Sequence, residues 1–289
     1  MKVFLTGATG YIGSAVAKAL QGAGHTVTGL ARSEEAASRL SAAGVTPIHG
    51  ELTDGAMVEK AAAEADAVIH TAATNDAGMA TADRAAVEAI LAGLKGSGKP
   101  FIYTSGIWVL GPTGDQIADE EFPPHPAPIV VWRVAVENLV LDAAAEGLRT
   151  VVIRPGIVYG GSRGIVAGMI ATAKARGVVQ YIGDGMNRWP LVEVDDLADL
   201  YVLALEKAPA GSVFMGVTGT CPRVEDVALA ISRLAGIPGK LQAWPVDEAR
   251  PVVGPFADAL AMDQQVSGAR AMRDLGWKPR FTDHLLQLE

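Results

Sequence analysis

The chain has 289 residues, with 24 basic and 32 acidic side chains and a formal net charge of −8. That balance gives no support to a nucleic-acid or anionic-membrane surface, and the single cysteine, Cys221, excludes an intrachain disulfide framework, so a reducing, cytoplasmic setting is expected. Mean hydropathy is +0.25, yet no run of about 18 uncharged apolar residues is present, and Gly7, Gly10 and Gly13 break the N-terminal apolar stretch that could pass for a secretory signal.

The first predicted element is a strand, Val3 to Thr6, which runs into Gly7-Ala8-Thr9-Gly10-Tyr11-Ile12-Gly13 and then a helix over Ser14 to Gln21. Strand, glycine loop and helix in this order make a nucleotide-binding arrangement. The glycines permit a tight turn and close approach, and the helix N-terminus offers N–H groups and partial positive charge to a pyrophosphate. A second strand, His25 to Ala31, ends where a dinucleotide fold usually places an acid on the adenosine ribose. Here the chain reads Gly29-Leu30-Ala31-Arg32-Ser33. Ala31 removes the repulsion an acid would exert on a 2′-phosphate, and Arg32 with Ser33 can bind that phosphate by charge-assisted hydrogen bonds. NADP(H) is therefore expected over NAD(H); the alternative is that Arg32 is a solvated charge flanking a helix.

Further strands are predicted at Thr46 to His49, Ala67 to His70, Phe101 to Thr104 and Thr150 to Arg154. They alternate with Ala-rich amphipathic helices at Glu34 to Ala43, Ala56 to Ala65, Ala80 to Lys95 and Ile129 to Glu146. The alternation predicts an α/β fold, a Rossmann-type doubly wound parallel sheet with ligand at the carboxyl ends of its strands. Beyond Gly156 the composition shifts to more Gly and Pro with shorter elements. A dinucleotide-binding domain over 1–155 and a smaller substrate lobe over 156–289 are expected, with Val213 to Val217 returning to the main sheet. Gly111 to Pro128, rich in Pro, Gly and acids, reads as a long substrate-facing loop.

Several pieces now fall in a recognisable order: the opening Thr6 to Gly13, then Val68-Ile69-His70-Thr71-Ala72-Ala73, Tyr103-Thr104-Ser105-Gly106, Arg154-Pro155-Gly156-Ile157-Val158-Tyr159-Gly160, Val194-Asp195-Asp196-Leu197-Ala198 and Leu275-Gly276-Trp277-Lys278-Pro279. In these the chain resembles the extended short-chain dehydrogenase/reductase family, also called the NAD-dependent epimerase/dehydratase family, over nearly its whole length. The resemblance implies that Gly7, Thr9, Gly10, Tyr11, Ile12 and Gly13 cradle the pyrophosphate and that Leu52 packs near the adenine. It further implies that Ala72, Ala73 and Thr104 line the nucleotide, while Pro155, Gly156, Ile157 and Val158 run beside the nicotinamide. Asp195 and Asp196 read as helix-capping residues.

Against this pattern stands one departure. The family carries a Tyr and, four residues on, a Lys on the helix after the long loop; the Lys lowers the phenol pKa from near 10 and holds the nicotinamide ribose. This chain reads Pro128-Ile129-Val130-Val131-Trp132-Arg133-Val134-Ala135-Val136-Glu137. With Glu137 as the family's downstream acid, Arg133 falls in the Lys slot and Ile129 in the Tyr slot. Isoleucine cannot transfer a proton. Tyr159 with Arg163 is the one other tyrosine-to-base pair at that spacing, and it spans Gly160-Gly161. Arg133 would keep a permanent cation at the ribose; its alternative role is a helical ion pair with Glu137. Ser105 takes the family's hydroxyl position as an oxyanion-type donor. His125, in Pro123-Pro124-His125-Pro126, is a second candidate proton source, and Tyr159 a third. Trp108, Trp132 and Trp189 are expected around the active-site mouth and point to an apolar or aromatic substrate, whereas His70 reads as core.

Three functions remain open at this stage: an NADPH-dependent reductase of a small carbonyl, imine or activated alkene; a non-enzymatic NADP(H)-binding regulator; and a nucleotide-sugar epimerase or dehydratase. Ile129 disfavours the last, as do the merely scattered cations Lys174, Arg176 and Arg188. The expected partner is a small-molecule substrate, with no metal, and the resemblance implies a homodimer through the helices at Ala80 to Lys95 and Ile129 to Glu146.

Overall fold

The computed structural model describes residues 1–74 and 76–283. Its first half alternates regularly: β1 (Lys2–Thr6), α1 (Tyr11–Gly22), β2 (Thr26–Ala31), α2 (Glu34–Ala42), β3 (Thr46–His49), α3 (Gly55–Glu64), β4 (Ala67–His70), α4 (Met79–Leu94), β5 (Pro100–Thr104), α5 (Val131–Asp142) and β6 (Arg149–Pro155). There follow β7 (Ile157–Tyr159), α6 (Gly164–Arg176), β8 (Val179–Ile182), β9 (Leu191–Glu193), α7 (Val194–Lys207) and β10 (Ser212–Gly216). The described chain closes with α8 (Val224–Leu234), β11 (Leu241–Trp244), α9 (Val246–Val253) and α10 (Phe256–Leu260).

Seven strands form one sheet in the order β10-β6-β5-β4-β1-β2-β3, and every neighbouring pair is parallel. The central strands are buried on both faces, which is why β1, β4 and β6 read as continuous apolar runs rather than alternating ones. On one face, Val16 and Leu20 of α1 pack with Leu197 and Tyr201 of α7; on the other, Val58, Ile90 and Val140 of α3, α4 and α5 cover Phe4 and Phe101. The strand order reverses between β1 and β4, and a doubly wound sheet opens its ligand crevice at that point. Two small parallel sheets, β7-β9 and β8-β11, lie outside the main one, and α6 and α8 share a core with them.

The helix predicted from Ile129 begins at Val131, because Pro128 opens a 3₁₀ turn over Pro128–Val130 first. Ile129 thus lies in that turn, and α5 ends at Asp142. Glu137 does not pair with Arg133. It accepts from Arg154 Nε at 3.0 Å and Nη2 at 2.6 Å, both side chains being buried, so this bidentate pair fixes α5 against β6. The cap of α7 is also reassigned. Glu193 accepts from the N–H groups of Asp195 and Asp196, while the buried Asp196 carboxylate takes the N–H groups of Arg280 and Phe281. Among the described residues no helix is long and apolar enough to cross a membrane.

Candidate active site

At the end of β1, Gly7 adopts φ +76°, and a Cβ there would lie 2.7 Å from the Ala72 amide nitrogen. At Gly13 a Cβ would overlap the Gly7 carbonyl oxygen. The loop and β4's extension are therefore as close as two backbones can come, and any side chain at these positions would fill the cradle. Gly10 caps α1 without a side chain, and no acidic residue occupies the first turn, so the helix N-terminus is open to an anion. These residues fit a dinucleotide pyrophosphate. Two contacts unread in the sequence tie the loop to residues 160–163: Tyr11 Oη donates to the Gly160 carbonyl at 2.6 Å and Arg163 Nη1 to the Thr9 carbonyl at 3.1 Å.

At the far end of β2, Ala31 is buried and Arg32 is exposed, without a hydrogen bond or ion pair to any described residue. Ser33 caps α2 by accepting from Ala36 N–H at 3.1 Å, which leaves its own O–H free to donate. Leu52 is buried in the same core cluster as Phe4, Leu30 and Val58.

Beside the cradle lies a cavity of about 610 Å³. Tyr11, Ile12, Ala73 and the run Pro155 to Val158 line its nucleotide side. Ser105, Trp108, Ile129, Arg133, Ile165 and Phe256 line the rest. Among the described lining residues Arg133 is the one cation and Asp76 the one anion. Ser105 follows β5 directly: its N–H donates to the Ile153 carbonyl at 2.8 Å, the residue is 8% exposed, and its Oγ has no hydrogen-bond partner. A buried hydroxyl without a partner is costly unless something else satisfies it. Of the other two proton candidates neither lines the cavity. His125 is exposed on the loop, held by its N–H to the Val109 carbonyl. Tyr159 is buried at the end of β7, its phenol pushed up by burial and then by Glu193. The tryptophans also separate: Trp108 lines the cavity, Trp132 lies under Arg133 with 4.4 Å from guanidinium to ring, and Trp189 is core, donating Nε1–H to the Leu260 carbonyl.

Arg133 ends a buried polar chain. Its Nη1 donates to the Thr104 carbonyl at 3.1 Å and to Tyr103 Oη at 3.3 Å; Tyr103 Oη donates to Asp83 Oδ2 at 2.8 Å. Asp83 Oδ1 lies 3.3 Å from His70 Nε2, and His70 Nδ1 lies 2.8 Å from Thr6 Oγ1. The arrangement fits an imidazole whose Nε2–H donates to Asp83 and whose Nδ1 accepts from Thr6. Thr6 immediately precedes Gly7, so the chain links the cradle to Arg133. His70 is buried, as expected, but it is a wired member of this chain, stacked on Tyr103 with centroids 5.9 Å apart. All five tyrosines have phenols raised above their ordinary range, with burial the largest cause in each. For Tyr103, Asp83 adds to the rise while Arg133 opposes it. No tyrosine is thereby tuned toward neutrality for proton transfer.

The model of the NAD dependent epimerase/dehydratase family matches residues 3–215, from β1 through β10. The chain belongs to that family. An uncharacterized protein of Schizosaccharomyces pombe is 39% identical over 302 residues, covering 100% of this chain and 98% of the other. A 4-hydroxy-2-methyl-3-oxo-4-farnesyl-3,4-dihydroquinoline-1-oxide ketoreductase of Stigmatella aurantiaca is 26% identical, over 86% of this chain and 78% of its own. Among solved structures, the dTDP-glucose 4,6-dehydratase of Bacillus anthracis in complex with NAD superposes with a TM-score of 0.84 at 17% identity, covering 100% and 95% of the two chains, a likeness of fold. None of the chain's five tyrosines is followed by lysine four residues on.

Proposed function

We propose that the protein is an NADPH-dependent reductase of a small organic carbonyl, imine or activated alkene. The observation that carries this reading is Ser105, which lines the cavity together with Ile129 and the Pro155 to Val158 run and whose buried Oγ has no partner of its own, so that a small rotation could turn it to a substrate oxygen. A dinucleotide held by the Gly7 to Gly13 loop would supply hydride to the acceptor carbon, and the electron pair released onto the substrate oxygen would need a proton from this chain or from water. Ser105 Oγ–H donates to the substrate oxygen and stabilises the charge that grows there. Its proton is replaced from water entering past the exposed Asp76. Arg133, held by Tyr103 and Thr104, keeps a fixed positive charge at the cavity wall. Holding the two reactants in contact supplies much of the rate, so a site without a tyrosine acid can still turn over. Reductases among the relatives support the reading, including the Stigmatella ketoreductase.

Ala31, the free Arg32 and the spare Ser33 hydroxyl support the choice of NADP(H). The test is an NADPH-oxidation screen over aldehydes, ketones, imines and enones, with Arg32→Ala alongside. Substrate-dependent oxidation is expected, with the variant losing about tenfold in NADPH affinity and little in NADH affinity. Tight NADPH binding with no turnover of any class makes the protein a binding regulator instead.

A further inference from the structure

The cavity's polar side chains are few, and some of their atoms are already engaged. Tyr11 Oη is bonded to Gly160, Arg133 Nη1 to Tyr103 and Thr104, and Asp76 Oδ1 to Thr74 Oγ1 and Gly78 N–H. Ser105 is the lining residue whose hydroxyl, buried in this structure, has no partner. A ligand with many hydroxyls would bury more of them than these few groups can partner, each unpartnered one costing on the order of tenfold in affinity. A ligand with one polar atom at Ser105 and an apolar body meets no such cost.

Opposite lies an aromatic pair. Trp108 and Phe256 both line the cavity, edge to face, with centroids 5.7 Å apart and planes at 76°. They come from residues 148 apart, yet one segment holds both. The Leu260 carbonyl, at the end of the helix carrying Phe256, accepts from Asn187 Nδ2 at 3.0 Å and Trp189 Nε1 at 2.9 Å. Four residues on, the buried Gln264 donates Nε2–H groups to the Ile107 and Gly111 carbonyls at 2.9 and 2.8 Å, on either side of Trp108. The pair is built and braced, and a third ring adds to it offset or edge-on at little ordering cost.

Resting on the reductase reading, we propose that the substrate is an uncharged aryl ketone or aldehyde, its ring against Trp108 and Phe256 and its carbonyl oxygen on Ser105, with Phe256 as the specificity-determining residue. Arg133 is the one cation among the described lining residues and stands with the anion Asp76, which disfavours a phosphorylated sugar.

Three probes decide it: acetophenone, cyclohexyl methyl ketone of nearly the same volume, and UDP-glucose. Calorimetric titration into the NADP⁺-loaded protein is expected to show acetophenone binding about three- to tenfold more tightly than the cyclohexyl ketone, and UDP-glucose no binding. Phe256→Leu should erase that preference, Phe256→Tyr retain it, and both leave NADP⁺ affinity unchanged. Equal affinity for the two ketones, a preference that survives Phe256→Leu, or binding of UDP-glucose overturns the proposal. Because binding is read separately from NADPH oxidation, aryl-selective binding without turnover removes the reductase reading while leaving the pocket's selectivity standing.

Discussion

At the nucleotide end of the cleft the chain presents main chain: Gly7, Gly10 and Gly13 strip the surface of side chains so that β1's loop, the start of α1 and the Ala72 backbone converge. At the substrate end it presents side chains, and they arrive from far apart: Ser105 from just after β5, Ile129 and Arg133 from the 3₁₀ turn and α5, Phe256 from α10. A main-chain site tolerates almost no substitution but dictates no chemistry. A side-chain site can be rebuilt one residue at a time, and here the described lining carries Ser105, Ile129 and Arg133.

The contrast is broken most sharply at Ser105. Ser105→Ala removes the one unengaged hydroxyl lining the cavity, and kcat is expected to fall about 10²- to 10³-fold while NADPH affinity holds. An unchanged kcat would falsify its role as the oxyanion donor. The complementary test is Gly13→Ala, whose added Cβ overlaps the Gly7 carbonyl oxygen. Overpacking of this kind costs about 1–3 kcal/mol, so NADPH affinity should fall roughly 5- to 150-fold. A fluorescence titration that shows full affinity would move the cofactor away from this loop.

Between the two ends runs the polar chain from Thr6 to Arg133. Tyr103→Phe deletes a hydroxyl that donates to the buried Asp83 and accepts from Arg133. The unpaired carboxylate oxygen should cost about 1–3 kcal/mol of stability in a denaturant melt. If the chain also positions Arg133, KM for NADPH rises severalfold with kcat little changed; a stability loss with KM unmoved confines Tyr103 to a structural part.

The two ends also differ in how much of them the sequence disclosed. The strands Thr46–His49 and Ala67–His70 are found at their predicted bounds, and the main sheet follows from local alternation, since a parallel strand buried on both faces leaves a continuous apolar run. The glycine loop is legible for a similar reason: its demands are local and only glycine meets them. Phe256 left no such mark. It becomes an active-site wall only through packing across 148 residues, and nothing in its own neighbourhood announces that. Asp83 is comparable, an acid on an Ala-rich helix whose partners His70 and Tyr103 lie on two separate strands. The small strands of β7, β8, β9 and β11 pair across distant segments outside the regular strand–helix alternation that marks the equally short β3 and β4.

The smallest expected effect tests whether the substrate end is anchored as rigidly as the cradle. Arg188 donates Nε–H and Nη2–H to Asp263 at 2.9 and 2.6 Å, fixing the segment between Phe256 and Gln264 to the smaller sheets. The Arg188 hydrogen bonds hold the Asp263 carboxyl below the usual carboxylate range. A depressed folded-state pKa contributes stability that is present above the unfolded value, about 3.9, and is lost as pH falls through the folded one. The pair is partly solvated, so about 0.5–1 kcal/mol is the appropriate scale after screening. Asp263→Asn should therefore melt about 2 °C below the parent at pH 7, with the gap closing as pH falls below about 4. A gap that persists at low pH would show that the segment is held by packing around Ala257 and Ala259 rather than by this ion pair, and Phe256 would then keep its place without it.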